Sequence, residues 1–202
     1  MSGWNVVPGE TPIDISGLKL KGIGSRSALD RFEAENIRKA MVKYLAVKPA
    51  RRTAPFTMNW AMRLHKEMFG EVWRWAGKFR KENLIIGSEW HQVPLRVQSL
   101  LDDLLFWESH EPSTLVQAVR LHHRAVQIHP FLNGNGRWAR LLSNIWLIRH
   151  DHLVTEWPEH TIGNRSVIRD EYIAAIKSAD DGVEAPLIEL HSRYTRLEPR
   201  GR

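Results

Sequence analysis

At 202 residues and 43% hydrophobic, the chain suits one domain with a small appendage and can bury a sizeable core, with nine tryptophans as bulky anchors. Its net charge of +6 favours an anionic ligand or partner, yet the basic residues are scattered, clustering briefly only at Arg51-Arg52 and Lys78 to Lys81, so nucleic acid is an unlikely partner. The lack of cysteine excludes disulfides and thiolate ligands, no apolar run reaches the roughly eighteen residues of a membrane span, and Met1 to Glu10 shows no secretory pattern, which leaves the cytoplasm as the expected compartment.

Residues 1–24, with Pro8, Pro12 and five glycines, are expected to form an irregular arm. Ser27 is the expected cap of a first helix running from Ala28 to about Val47, with Leu29, Phe32, Ile37, Ala40, Met41, Tyr44 and Leu45 as its apolar positions; Pro49 stops it. Thr57 caps a second helix that carries Trp60, Leu64 and Met68 and ends at Gly70. Leu84-Ile85-Ile86, the turn signal Gly87-Ser88 and Trp90 to Val93 predict a short β-hairpin, the one strand pair expected in the chain. Pro94 then opens a helix that ends before Pro112, with Asp102-Asp103 on its solvated face, and Ser113 caps the next. After the Gly163-Asn164-Arg165 turn come a helix with Ile168, Tyr172, Ile173 and Ile176 and a last one over Pro186 to Tyr194, with a loose tail over 197–202. The predicted architecture is an all-α helical bundle with one inserted hairpin. The expected divisions are the arm at 1–24, the first helix at 25–48, a core at 49–196 and the tail.

The chemistry concentrates in His129-Pro130-Phe131-Leu132-Asn133-Gly134-Asn135-Gly136-Arg137-Trp138-Ala139-Arg140. A histidine exchanges protons near neutral pH. Gly134 and Gly136 permit conformations that turn successive N–H groups toward an anion. The apolar run that follows reads as a buried helix, so the loop sits at a helix N-terminus, which favours phosphate. Arg137 and Arg140, three apart, share a helix face. Cations at a helix N-terminus oppose its dipole, and a bound anion relieves that conflict. A base, an anion nest and an arginine fork point to phosphate-ester chemistry on a nucleotide. Asn133 can cap the helix or shape the turn. His122, His123 and His129 have no i, i+4 spacing suited to zinc, and one of the first two is expected to hydrogen-bond a buried carbonyl under the loop. Trp73, Trp75, Trp107 and Trp146 read as core, and Lys78 to Lys81 as a solvated cluster.

This stretch resembles the signature of the Fic/Doc family, His-x-Phe-x-Asp/Glu-Gly-Asn-Gly-Arg-x-x-Arg. The likeness extends through Leu64-His65, Phe69-Gly70, Trp75-Ala76-Gly77 and Arg80, and beyond the loop from Arg165 through Tyr172 to Pro186-Leu187-Ile188, about residues 9 to 195 in all. Leu29 to Asn36 and Arg51 to Phe56 look like the subgroup called mobile mystery protein B. The resemblance implies a Fic-type bundle that transfers the adenylyl part of ATP to a Ser, Thr or Tyr hydroxyl of a target protein. It makes His129 the general base and Phe131 the anchor of the loop. Gly134, Asn135 and Gly136 become the nest for the α- and β-phosphates, with Arg137 on the β-phosphate and Arg140 on the terminal one. Ile85, Ile86 and Gly87 would lie in a flap that docks the target by strand addition. Asn133 stands where the family has an acidic magnesium ligand, so a weaker Mg2+ contact, mostly through nucleotide phosphates, is expected. Glu35-Asn36 resembles the end of the family's inhibitory motif, with Arg31 at its Ser/Thr position, which makes Glu35 the inhibitory candidate facing Arg140. The resemblance also leaves open a Doc-like phosphotransferase, a catalytically weak nucleotide-binding member of a toxin–antitoxin-like pair with an antitoxin-like or regulatory partner, and self-association.

Overall fold

The computed structural model describes residues 15–23, 25–111, 113–162 and 166–195. The expected arm and turn at 163–165 therefore lie largely outside the described residues, and the tail wholly so. Helix α1 spans Arg26–Leu45 and is capped by Ser25, whose hydroxyl accepts the Ala28 N–H at 3.3 Å; the cap is thus two residues earlier than Ser27. Helix α2, Met58–Phe69, is capped by Thr57 as expected. Helix α3, Val93–His110, has Pro94 in its first turn, where a missing N–H costs nothing. Helix α4, Thr114–Ile128, starts at the Ser113 cap, and α5 covers Asn135–Arg149. A short α6, Glu159–Ile162, was not foreseen; α7 is Val167–Asp180 and α8 is Ala185–Arg193.

Helix α5 is buried nearly all round, as its run of apolar residues predicts. It packs along α4, and the two form the centre of the molecule. Trp60, Phe56 and Trp146 lock α2 to α5, with ring centroids 4.7 and 5.0 Å apart. Each such fully buried side chain is worth roughly 1.5–3 kcal/mol. A second apolar cluster of Val119, Trp157, Tyr172, Ile176 and Leu187 covers the other side of α4 with the C-terminal helices. The loop between α4 and α5 is therefore held by core packing on both flanks. Trp73 and Trp146 are buried as expected; Trp75 and Trp107 are half-buried against the core. Asp102 is exposed, while Asp103 pairs with Arg124. No helix among the described residues is long and apolar enough to cross a membrane.

The predicted hairpin does not form. Among the described residues there are only the isolated bridges Leu18–Trp73 and Thr155–Thr195. Residues 83–89 are an irregular loop, and Trp90–Gln92 is a 3-10 turn leading into α3. Backbone groups that a ladder would use have other partners. The Ser88 N–H donates to the Ile128 carbonyl at 3.2 Å, the Ser88 carbonyl accepts from Arg80, and the Trp90 N–H donates to the Asn83 side chain at 2.9 Å. Ile85 is 93% exposed, so no apolar face is buried to hold two strands together.

Candidate active site

His129 ends α4 in the left-handed conformation, with φ 53° and ψ 60°. For a residue other than glycine this costs roughly 1–2 kcal/mol, so its surroundings must hold it there. Its N–H still reaches the Ala125 carbonyl at 3.2 Å, and its own carbonyl accepts from Arg80 Nε at 2.7 Å. Imidazole Nδ1 lies 3.3 Å from the Val126 carbonyl, which can only accept, so Nδ1 carries the proton and Nε2 is left to take another. Burial pushes this histidine down to about 4; the Val126 bond opposes the shift and the Arg80 charge adds to it.

The loop beyond is internally clamped. The Asn135 side chain is buried and bonds Phe131 twice, accepting its N–H at 2.9 Å and donating to its carbonyl at 2.8 Å. The Asn135 side chain thus braces the loop from within. Phe131 is wholly buried, stacked on His65 at 3.6 Å and edge-on to Trp138. His65 accepts the Gly77 N–H at Nδ1 and so must donate from Nε2 to the Asn133 carbonyl, each at 3.0 Å. Gly134 has φ +78°, and a Cβ there would lie 2.6 Å from the Phe69 ring. Gly134→Ala is expected to lose about 1–3 kcal/mol of stability; unchanged thermal unfolding would show that the loop tolerates a Cβ there.

The N-terminus of α5 has no side-chain cap, so its first N–H groups face the loop without a carboxylate or hydroxyl on them. Arg137 lies 4.7 Å over the Phe69 ring and donates to Glu33 of α1 at 2.5 Å. Glu33 is 4% exposed, and its other oxygen accepts from Trp73 Nε1. Arg140 is buried, forked onto both oxygens of Glu159 and 5.7 Å over the Tyr172 ring. Behind it runs a buried string: the Tyr172 hydroxyl to His122 at 3.0 Å, His122 to His191 at 2.8 Å, and His191 to Thr155 at 3.0 Å. His122 therefore bonds side chains and not a carbonyl under the loop, and His123 pairs with Asp180. Both motif arginines thus already hold carboxylates.

Glu35 is not one of those carboxylates. It lies on the exposed side of α1 and pairs with Arg38 at 2.9 Å. Glu33, two residues earlier, falls on the buried stripe Leu29, Glu33, Asn36, Ala40 and Tyr44. A carboxylate on an apolar stripe was the signal available in the sequence. Glu159, His65 and Tyr172 had no such local signal. Arg80, expected in a solvated cluster, is 2% exposed. Trp138 is buried and donates to the Ala61 carbonyl, whereas Trp90 is 42% exposed.

The donors present offer magnesium at most one weak contact from the protein. Asn133 offers one neutral amide oxygen, already accepting the Gly134 N–H at 2.6 Å. Among the described residues no group of three or more His, Asp or Glu side chains is placed to hold a metal. Of its two readings, the loop cap is the one with a hydrogen bond behind it.

Residues 55–147 match the model of the Fic/DOC family. A curated relative, Protein adenylyltransferase Fic of Drosophila grimshawi, is 28% identical over 139 residues, which is 66% of this chain and 27% of the relative. The chain spans about a quarter of the length of such relatives. Among solved structures, Fic-1 from Caenorhabditis elegans superposes with a TM-score of 0.69 at 22% identity, covering 89% of this chain and 52% of that one. The BepC protein of Bartonella tribocorum with bound AMPPNP superposes with a TM-score of 0.66 at 17% identity, covering 96% of each chain. These likenesses show the fold.

Proposed function

We propose, from the premise that residues 55–147 are a Fic/DOC family domain, that the chain transfers AMP from ATP to a Ser, Thr or Tyr hydroxyl of a target protein. The observation that carries this reading is the pairing of a neutral, oriented imidazole with an uncapped helix N-terminus and two arginines that already grip carboxylates. His129 Nε2 takes the proton of the target hydroxyl, whose oxygen then bonds to the α-phosphorus. The bond between that phosphorus and the bridging oxygen breaks, and pyrophosphate leaves. Gly134, Gly136 and the Asn135 backbone hold the α- and β-phosphates, with Arg137 and Arg140 on the β- and γ-phosphates; positioning and charge stabilisation supply the rate. The BepC neighbour's bound AMPPNP and the relatives' adenylyltransferase names support the nucleotide. No step is assigned to a metal held by Asn133. Exposed Ile85 and Ile86, beside Gly87, are the proposed docking edge for the target. Residues 49–196 are the catalytic core and α1 is its regulator. Leu29 to Asn36 and Arg51 to Phe56 support the mobile mystery protein B subgroup.

In this reading the resting protein is self-restrained, because ATP phosphates must displace Glu33 from Arg137 and Glu159 from Arg140. Glu33→Gln keeps an oxygen for Trp73 and removes the charge. It is expected to raise ATP affinity about ten- to a hundredfold, the worth of one charge-assisted bond, and to raise transfer with it. Calorimetry with ATP reads the first, and α-labelled ATP added to cell lysate reads the second. No labelled protein with either form, the enzyme itself included, would sink the transferase reading; label from γ- and not α-labelled ATP would make it a phosphotransferase. A second reading is favoured by Asn133: a nucleotide-binding member of a protein pair with little or no transfer. ATP binding without label, even in Asn133→Asp, would select it.

A further inference from the structure

The proposed base and the 83–89 loop share an anchor in Arg80. Its Nε donates to the His129 carbonyl at 2.7 Å and one terminal nitrogen to the Glu82 carbonyl at 2.8 Å. The other terminal nitrogen serves the carbonyls of Ser88 and Ile128, the latter at 3.4 Å. Its backbone N–H reaches the Pro130 carbonyl at 3.0 Å. Every one of these acceptors is a backbone carbonyl. Ile128 and His129 end α4, where carbonyls lack helical partners and the dipole is negative, so a buried cation is favourable there. A planar guanidinium serves carbonyls in several directions at once; the single nitrogen of lysine does not. The loop also touches the base directly. A Cβ added at Gly87, which has φ +106°, would lie 2.6 Å from the His129 Cβ and 3.0 Å from an Arg80 nitrogen.

We propose that Arg80 is a positioning residue that fixes the 83–89 loop and His129 as one rigid unit, so that a target hydroxyl laid along the loop meets the imidazole in a single register. The positional half stands on the hydrogen bonds, and the register half rests on the transfer reaction proposed above. The proposed phosphate grip is separate: Arg137 and Arg140 take their partners from α1, α2, α6 and α7, and share none with Arg80.

Loosening Arg80 should therefore separate target use from nucleotide binding. In Arg80→Lys, exchange of the Ser88 amide should speed up by about tenfold or more, while ATP affinity by calorimetry stays within about twofold. Transfer from α-labelled ATP should fall about a hundredfold in Arg80→Lys, the cost of roughly 1 Å of misplacement, and at least as far in Arg80→Met. Unchanged Ser88 exchange in both variants, or a parallel fall of ATP affinity and core amide protection, would overturn the proposal. In the unsubstituted protein, the Arg80 Nε–H should exchange with water far more slowly than those of surface arginines such as Arg38; fast exchange would also overturn it, with no variant needed. If the unsubstituted protein labels nothing, the transferase reading fails by itself, and the two exchange measurements still decide whether Arg80 holds loop and base together.

Discussion

His129→Ala is expected to lower transfer of label from α-labelled ATP by about 10²–10⁴-fold, the span of a positioned general base, while ATP affinity stays within about twofold. The split follows from the geometry. Nδ1 is committed to the Val126 carbonyl, so Nε2 is the nitrogen that serves the target hydroxyl, and the phosphates are assigned to α5. The pH profile carries a second signature. A solvated histidine base loses activity as pH falls through about 6.5. Burial holds His129 at about 4, so the imidazole stays neutral, and transfer should hold steady, from pH 8 down to about 5.5. Half-maximal transfer near pH 6.5 would show that the base is another group or that His129 is solvated in the working enzyme.

The other large expected effect is acid unfolding. His65 and His191 are pushed down to about 3 by burial, and His122 falls well below the usual range through burial, His191 and Arg140. In the unfolded chain each titrates near about 6.5. Between those values the unfolded state binds protons that the native state refuses, so stability is fully present above about pH 6.5 and declines as pH falls toward about 3. His65 and His191 together cost about 3 kcal/mol for each pH unit below about 6, and His122 adds in the same direction. Against a typical total of about 5–15 kcal/mol, urea unfolding at pH 7, 6 and 5 should show midpoints that drop steeply between the last two. Equal midpoints at pH 7 and 5 would mean that these imidazoles are hydrated or already charged in the native protein. The string from Tyr172 through His122 and His191 to Thr155 would then need rebuilding, and with it the support behind Arg140.

Much of this was present in the order of residues. The caps Thr57 and Ser113, the all-round apolar α5 and the glycine-bracketed loop all express local chemistry, and local chemistry is what a sequence displays directly. Helix-forming periodicity and capping need no knowledge of distant partners. The hairpin at 84–93 failed for the complementary reason. Leu84-Ile85-Ile86 has strand-like composition, but a strand needs a partner for its backbone, and Asn83, Arg80 and the end of α4 took those groups. The choice between Glu33 and Glu35 turned on which side of α1 meets α5, and packing, not motif, decided it.

The sequence by itself determined that a base, a glycine nest and two arginines stand within twelve residues, 129–140, at a helix entrance, because adjacency in the chain guarantees adjacency in space. Only the tertiary structure decided what restrains them. Glu33 lies 104 residues from Arg137, and Arg80 is 49 residues from His129. Tyr172 comes from α7, within the second apolar cluster. Ion pairs and hydrogen bonds over such separations arise from how helices pack; the apolar stripe of α1 marks Glu33 for burial but names no partner for it. Asn133 sits between the two cases: its identity is plain in the sequence, and its side-chain bond to the Gly134 N–H is seen only in the structure.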